Sequence, residues 1–190
     1  RHFWGSSGYG VWDDSRNKLE EVFARCMGAE AALVRSQFMS GTHTLTVALF
    51  GLLRTGDTLL AATGRPYDTL EGVIGIGEAG KGCGTLREYG VNYDECPLLP
   101  DNTPDYALIA EKAKTATVVH IQRSRGYMQR NAFDLETIRR VAETARKANP
   151  DAVIFVDNCY GEFTQTQEPL AAGADLIAGS FIKNPGGGIT

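Results

Sequence analysis

The sequence predicts an α/β fold in which a mostly parallel sheet carries helices on both faces. Segments with the pattern of helices alternate along the chain with segments that have the pattern of strands. The strands are apolar throughout rather than alternately apolar and polar, which is typical of parallel strands that are covered on both sides. Apolar residues make up 43% of the 190 residues and charged residues 22%, so the chain can build the core of one globular domain.

Three segments have the apolar spacing of amphipathic helices, and a fourth, 67–76, is a short helix candidate. The first helix is predicted over 15–28, with Ser15 as its cap and an inward face of Leu19, Val22, Phe23 and Cys26. The second is predicted within 40–56, and the third within 134–150 with Asp134 as its cap. Apolar, β-branched runs predict strands within 57–63, 115–122, 152–157 and 174–180.

Composition argues against several classes of protein. The net charge is -4 and the isoelectric point about 5.4, which argues against a nucleic-acid partner. No apolar run has the roughly 20 residues that cross a bilayer, so we expect no membrane partner. The four cysteines form no C-x-x-C pair and do not cluster with the three histidines, so we expect no metal site and a reducing cytoplasmic location. The chain lacks an initiating Met and ends in "GGGIT", which suggests a fragment without its C-terminal domain.

An acid and a lysine follow two of the predicted strands. Asp157 comes directly after "AVIFV", and Lys183 lies a few residues after "ADLIA". Taken alone, Asp157 could cap the next element and Lys183 could be a solvated loop residue. Together, near the carboxyl ends of neighbouring strands, they suit pyridoxal 5'-phosphate, because a lysine with a lowered pKa can form a Schiff base and an aspartate can keep the pyridine nitrogen protonated.

The sequence also offers a phosphate site and an aromatic partner for such a cofactor. Ser40, Gly41 and Thr42 lie at a predicted helix start, where backbone N–H groups and the helix dipole favour a dianion. Ser180, near the lysine, could add a further donor. Tyr67 follows the strand of 57–63 and could stack on the ring, although simple capping by Ser40 and an ordinary core or surface position for Tyr67 remain alternatives.

Two further motifs have the composition of possible binding sites. "GIGEAG" (75–80) matches G-x-G-x-x-G, but a dinucleotide site needs a preceding strand and a following helix, and a flexible glycine-rich loop is the simpler interpretation. "QRSRGY" (122–127) places two arginines after a strand. Arg123 or Arg125 could bind a substrate carboxylate or a phosphate through two hydrogen bonds, or both could be ordinary surface residues.

The stretches "SGTHT", "GRPYDTLEGVIG", "IQRSRGY", "FVDNCYGEF" and "GSFIKNPGGG" closely resemble the methionine gamma-lyase family, also known for aluminium resistance, which is related to the Cys/Met-metabolism enzymes that use pyridoxal phosphate. The resemblance implies a fold-type I large domain like that of aspartate aminotransferase, in a homodimer or homotetramer. Residues 1–190 would then comprise an N-terminal segment, about 1–30, and most of the cofactor-binding domain.

The resemblance also implies roles for single residues. Lys183 corresponds to the Schiff-base lysine, Asp157 to the partner of the pyridine nitrogen, and Tyr67 to the stacking aromatic. Ser40, Gly41 and Thr42 correspond to the phosphate turn, and Ser180 to a phosphate-binding serine.

We therefore predict a pyridoxal-phosphate-dependent carbon–sulfur lyase that acts on a sulfur-containing amino acid. Lys183 would take the Cα proton as general base, and Tyr67 would serve as acid or base for the leaving group. Transamination, or aldol cleavage of an amino acid, would use the same first half of the site. A non-catalytic nucleotide-binding module remains a further alternative, because many functions share such folds.

Overall fold

The structure is a computed structural model that describes residues 2–5, 9, 13–77 and 82–184. The chain divides into two compact units, residues 1–39 and 40–190. The helices in the described part are α1 (Asp14–Met27), α2 (Gly41–Leu52), α3 (Asp68–Ile74), α4 (Tyr106–Lys112) and α5 (Leu135–Ala148). The strands are β1 (Thr58–Ala61), β2 (Asn92–Glu95), β3 (Val118–Gln122), β4 (Val153–Asp157) and β5 (Leu176–Ala178).

The five strands form one sheet in the order β2-β1-β3-β4-β5, and every neighbouring pair is parallel. The prediction of a mostly parallel sheet is confirmed. In the register of the sheet, Asp157 lies between Gln122 of β3 and Ala178 of β5. The carboxyl ends of these strands therefore meet at one edge, where ligands of open α/β sheets bind.

Helices cover both faces of the sheet, as predicted. Val119, Ile121 and Ile154 belong to a buried cluster that includes the inner face of α5. Their neighbours Val118 and Phe155 belong to a second cluster, with Leu45 and Leu49 of α2. Successive strand residues point to opposite faces, so β3 and β4 each contribute to both cores, which explains why their residues are mainly apolar.

The helices that carry clear sequence signals form where they were predicted. The side chain of Asp134 accepts a hydrogen bond of 2.8 Å from the backbone N–H of Thr137 and caps α5. The side chain of Ser40 caps α2 by accepting one of 3.1 Å from the N–H of His43. Each bond satisfies an N–H group that lacks an intrahelical partner.

The first helix differs from its prediction. α1 begins at Asp14 with Asp13 as the cap, and the Ser15 hydroxyl donates to the Asp13 carboxylate instead of capping. The predicted inward residues Leu19 and Val22 are 49% and 48% exposed. The buried residues of α1 are Ala24 and Met27, because an apolar stripe shows a preferred face but not what covers it.

The glycine-rich motif lies at the end of a helix rather than at the start of one. Gly75 ends α3 in the left-handed conformation, with φ of 89°. A dinucleotide or nucleotide site would need the opposite arrangement, so the described part of the motif does not support the nucleotide-binding alternative. Residues 78–80 of the motif, like the glycines at 186–188, lie outside the described residues.

Two elements were not predicted. β2 is a polar edge strand, "NYDE", without a run of β-branched residues, and α4 has seven residues.

Within the described ranges, none of the helices is long and apolar enough to cross a bilayer.

Candidate active site

Lys183 lies in a tight turn after β5. Its backbone N–H donates a hydrogen bond of 3.0 Å to the carbonyl of Ser180, and its half-buried side chain extends toward the start of α2. The ammonium nitrogen Nζ lies 5.0 Å from the centre of the Tyr160 ring, within the range of a cation–π contact. The turn thus places the amine at the carboxyl edge of the sheet.

Gly41 brings the first turn of α2 to this amine. A Cβ atom at Gly41 would lie 3.4 Å from Cys159 Sγ, 3.4 Å from Ser180 Cβ and 3.5 Å from Lys183 Nζ. The N–H groups of the first helical turn have no intrahelical acceptor and carry the positive end of the helix dipole. A helix N-terminus and an ammonium group, both positive, therefore lie side by side, an arrangement that favours an anionic ligand.

Asp157 supplies a buried carboxyl at the end of β4. The residue is 2% exposed, and its Oδ1 accepts a hydrogen bond of 3.0 Å from the backbone N–H of Cys159. Burial raises the pKa of Asp157, although the bond from Cys159 and the charge of Lys183 oppose the shift. A carboxylate in this position is stabilised by a cation brought next to it.

Cys159 lies between these groups and was not singled out by the sequence. Burial raises the pKa of its thiol to about 12, so the thiol is neutral at physiological pH. Burial alone would lower the pKa of Lys183, but interactions with Cys159 and then Asp157 outweigh it, and the pKa of Lys183 lies above its usual value. The expected lowering of the pKa of Lys183 is therefore wrong for the protein without a ligand, because the predicted desolvation is offset by these neighbours.

Tyr67 joins the same group from the start of α3. Its hydroxyl shares a hydrogen bond of 2.9 Å with the hydroxyl of Thr42, and its backbone N–H donates one of 2.9 Å to Gln122 Oε1. Burial raises the pKa of Tyr67, and Asp157 and Lys183 both act on it electrostatically. The structure thus brings Tyr67, Thr42, Asp157 and Lys183 together, while stacking on a ring stays a prediction.

The two serines already have structural contacts. Ser40 Oγ accepts the capping hydrogen bond of α2, and the backbone N–H of Ser180 donates to Glu162 Oε1 over 2.7 Å. A hydroxyl that accepts one hydrogen bond can still donate another. Binding of a phosphate by Ser40, Gly41, Thr42 and Ser180 stays a prediction that this geometry permits.

Arg123 does not act as predicted. Its side chain is almost fully buried, with the residue 3% exposed, and its N–H groups already have acceptors within the chain. Nε donates to the carbonyl of Phe133, Nη1 to Asn158 Oδ1 and the carbonyl of Gly161, and Nη2 to Thr164 Oγ1 and Gln165 Oε1. A guanidinium has five N–H donors, so none remains for a substrate carboxylate.

Arg123 instead stabilises the segment 158–165 after β4 through these hydrogen bonds. The prediction that Arg123 binds the substrate is therefore corrected. The other candidate, Arg125, is exposed, and its role stays a prediction. Among the described residues, no group of three or more His, Cys, Asp or Glu side chains is placed to hold a metal ion.

Comparison with known proteins gives one consistent family. The sequence matches the family described as methionine gamma-lyase over residues 1–190. The protein YnbB of Bacillus subtilis is 46% identical over 189 residues, which are 99% of this chain and 45% of that protein.

Two solved structures are similar at the same level. A protein of Listeria monocytogenes, named for a proposed cystathionine beta-lyase activity in aluminium resistance, is 48% identical with a TM-score of 0.93, over 98% of this chain and 47% of that one. A carbon–sulfur lyase involved in aluminium resistance from Clostridium novyi is 47% identical with a TM-score of 0.89, over 95% of this chain and 43% of that one. The chain thus spans less than half the length of these relatives.

A distant structure supports the fold alone. An aspartate aminotransferase of Thermus thermophilus is 16% identical with a TM-score of 0.64, over 88% of this chain and 43% of that one. The likeness agrees with the α/β architecture and the parallel sheet.

Proposed function

Since the chain belongs to the methionine gamma-lyase family, we propose that it forms the cofactor-binding part of a pyridoxal-phosphate-dependent lyase that cleaves a carbon–sulfur bond of an amino acid. The observation that carries the proposal is the convergence of Lys183, Asp157 and the first turn of α2 at one edge of the sheet. The relative named as a carbon–sulfur lyase supports the same class of reaction.

The residues present fit pyridoxal phosphate. The bare backbone at Gly41 and the nearby ammonium of Lys183 provide a positive site for the phosphate and the aldehyde end of the molecule. The carboxyl of Asp157 is buried, 2% exposed, and would be stabilised by the protonated ring nitrogen. A ligand with an anionic group at one end and a cationic nitrogen at the other matches the positive site at Gly41 and Lys183 and the carboxyl of Asp157.

When bound, the cofactor supplies an electron sink for the negative charge that forms at the substrate Cα. Lys183 would hold the cofactor and, once its amine is free, take the Cα proton at Nζ. Asp157 would keep the ring nitrogen protonated. The Tyr67 hydroxyl, oriented by the 2.9 Å hydrogen bond with Thr42, would exchange a proton with the departing sulfur.

The protonation of Lys183 is compatible with this role. Without a ligand, Asp157 contributes to the raised pKa of Lys183. A cationic ring nitrogen next to Asp157 would cancel the field of that carboxylate, so the amine would lose part of its stabilisation as an ammonium group. Through Asp157, the ring nitrogen would thereby lower the pKa of Lys183, whereas the phosphate would act on it in the opposite direction.

The test is a product analysis of the full-length protein supplied with pyridoxal phosphate. Methionine, cysteine and cystathionine would be offered as sulfur substrates, threonine as an aldol substrate, and an amino acid with a 2-oxoacid acceptor for transamination. We expect release of the sulfur leaving group together with ammonia and a 2-oxoacid.

Two variants define the background of this assay. Lys183→Ala should remove the activity, and the matched change Lys114→Ala, at an exposed lysine, should leave it intact. Glycine and an aldehyde from threonine, or amino transfer without release of sulfur, would contradict the proposed reaction and favour the alternative that produced them.

A further inference from the structure

We propose that Glu162 is a positioning residue that holds the turn carrying Lys183 through the backbone N–H of Ser180. The inference rests on the proposed function only in taking Lys183 as the reactive group. It concerns a contact within the chain, so it can be tested on the protein without its cofactor.

The first support is a short chain of hydrogen bonds. Glu162 Oε1 accepts a hydrogen bond of 2.7 Å from the N–H of Ser180, and the carbonyl of Ser180 accepts one of 3.0 Å from the N–H of Lys183. The N–H of Ser180 is thus held by Glu162, and the carbonyl of the same residue is held by the N–H of Lys183 within the turn.

The second support is the close packing at Gly179. A Cβ atom at this position would lie 2.4 Å from Glu162 Oε1 and 3.1 Å from its Cδ. A side chain at Gly179 would displace the carboxyl of Glu162. The carboxyl can therefore pack directly against the backbone just before the turn only because this residue is a glycine.

The segment around Glu162 also contacts the far side of the turn. The side-chain amide of Asn184 donates hydrogen bonds of 3.1 Å to the carbonyls of Tyr160 and Glu162. Tyr160 and Phe163 have φ of 68° and 58°, a conformation that bulky side chains adopt only where their surroundings impose it. Residues 160–163 are therefore held in a specific shape against the lysine turn.

A carboxyl group is costly at this position. Glu162 is 4% exposed, and its second oxygen, Oε2, is buried with no hydrogen-bond partner among the described residues. Burial raises the pKa of Glu162, which favours the neutral acid, and Oε1 can accept the bond from Ser180 in either state. An apolar side chain would avoid the cost of burial, but it would leave Ser180 without its acceptor.

The experiment measures the turn in the cofactor-free full-length protein. Hydrogen exchange of the peptide that contains the Ser180 amide reports the hydrogen bond, and acetylation of Lys183, mapped by mass spectrometry, reports the access of reagent to the amine. Glu162→Ala should accelerate exchange at Ser180 by about tenfold, as expected for the loss of one buried hydrogen bond. It should also increase acetylation of Lys183.

Glu162→Gln keeps an oxygen acceptor and should restore both readouts to values near those of the wild type. Glu111→Ala, at an exposed glutamate, is the matched control and should change neither. Gly179→Ala should accelerate both with Glu162 intact, and it serves as the second test if Glu162→Ala does not fold.

Wild-type exchange and acetylation in folded Glu162→Ala, or in Gly179→Ala, would overturn the proposal. Loss of protection in Glu162→Gln equal to that in Glu162→Ala would overturn it as well, since the acceptor is kept there. Failure of the full-length protein to bind pyridoxal phosphate would contradict the proposed function but would leave these readouts of the turn unaffected.

Discussion

Two groups of residues with buried polar atoms lie at the same edge of the sheet, and two residues adjacent in sequence, Asp157 and Asn158, belong to different groups. Asn158 belongs to the arginine cluster, which we define as Arg123, Asn158, Gly161 and Glu168. Asp157 belongs to the lysine group, which we define as Asp157, Cys159 and Lys183.

In the arginine cluster the polar groups are matched with one another. The N–H groups of Arg123 have acceptors, and the amide of Asn158 donates to Glu168 over 2.9 Å. In the lysine group the match is incomplete, because burial raises the pKa of Asp157 although the charge of Lys183 opposes the shift. This difference is what we expect if the arginine cluster supports the fold and the lysine group binds the proposed cofactor.

The largest effect is expected where the lysine group loses its amine. Lys183→Ala should lower turnover by at least about 10³-fold, the scale of a lost general base. Its melting temperature should stay close to that of the wild type, because Lys183 is only half-buried. Steady-state kinetics and thermal unfolding of the same preparation test both parts, and near-normal turnover would remove Lys183 from the site.

The arginine cluster should respond in the opposite way. Arg123→Ala leaves Glu168, 3.7 Å away in the wild type, as a buried carboxyl without a cationic partner, and should lower the free energy of unfolding by about 3–5 kcal/mol. Urea denaturation measures the loss. Arg125→Ala, at the exposed neighbour, should change stability by less than about 0.5 kcal/mol. A stable Arg123→Ala with a raised KM would return Arg123 to the substrate site.

A smaller loss is expected at Gly161. A Cβ atom there would lie 2.5 Å from Arg123 Nη1 and 2.7 Å from Asn158 Oδ1, so Gly161→Ala should cost about 1–3 kcal/mol by overpacking. The control is Gly51→Ala, at a glycine within α2 that has open space at its Cβ position. It should stabilise the protein by about 0.5–1 kcal/mol, and equal unfolding curves for the two variants would argue against a tight arginine cluster.

The smallest and most diagnostic effect concerns the pH dependence of Asp157. Because burial raises the folded-state pKa of Asp157, the unfolded chain releases this proton first as the pH rises above about 4. Ionisation therefore destabilises the cofactor-free fold at neutral pH, and Asp157→Asn should melt at a higher temperature there. The difference in melting temperature should vanish at low pH, where Asp157 is protonated in both the folded and the unfolded state.

Thermal unfolding of both proteins between about pH 3 and pH 8 measures this difference. A lower melting temperature for Asp157→Asn at neutral pH would mean that the carboxylate already has a matching cation within the chain. The lysine group would then be complete without a ligand.

The sequence predicts the elements with strong local signals. The β-branched run before Asp157 and the apolar spacing after Asp134 both form their elements as expected. The polar edge strand β2 lacked such a signal. The exposed face of α1, with Leu19 and Val22, shows that periodicity cannot tell what will cover a helix.

Local sequence patterns have the same limit for the candidate active site, because they do not show contacts between residues that are distant in sequence. Lys183 and Asp157 could be grouped because the carboxyl ends of parallel strands must meet. Gly41 was predicted separately, as part of a helix start that suits a phosphate. The partners of Arg123 lie up to 42 residues away in sequence, and the contact between Glu162 and Ser180 spans 18. No local pattern reveals such distant pairings, so the sequence suggested a substrate contact for Arg123 and gave no role to Glu162.

The assignment of Lys183 as the residue that holds pyridoxal phosphate can be tested by reducing the loaded full-length protein with borohydride. We expect a visible absorbance band that borohydride removes, and a reduced adduct that mass spectrometry maps to Lys183. The absence of a band, or an adduct on another lysine, would contradict the account and make Lys183 an ordinary residue of its turn.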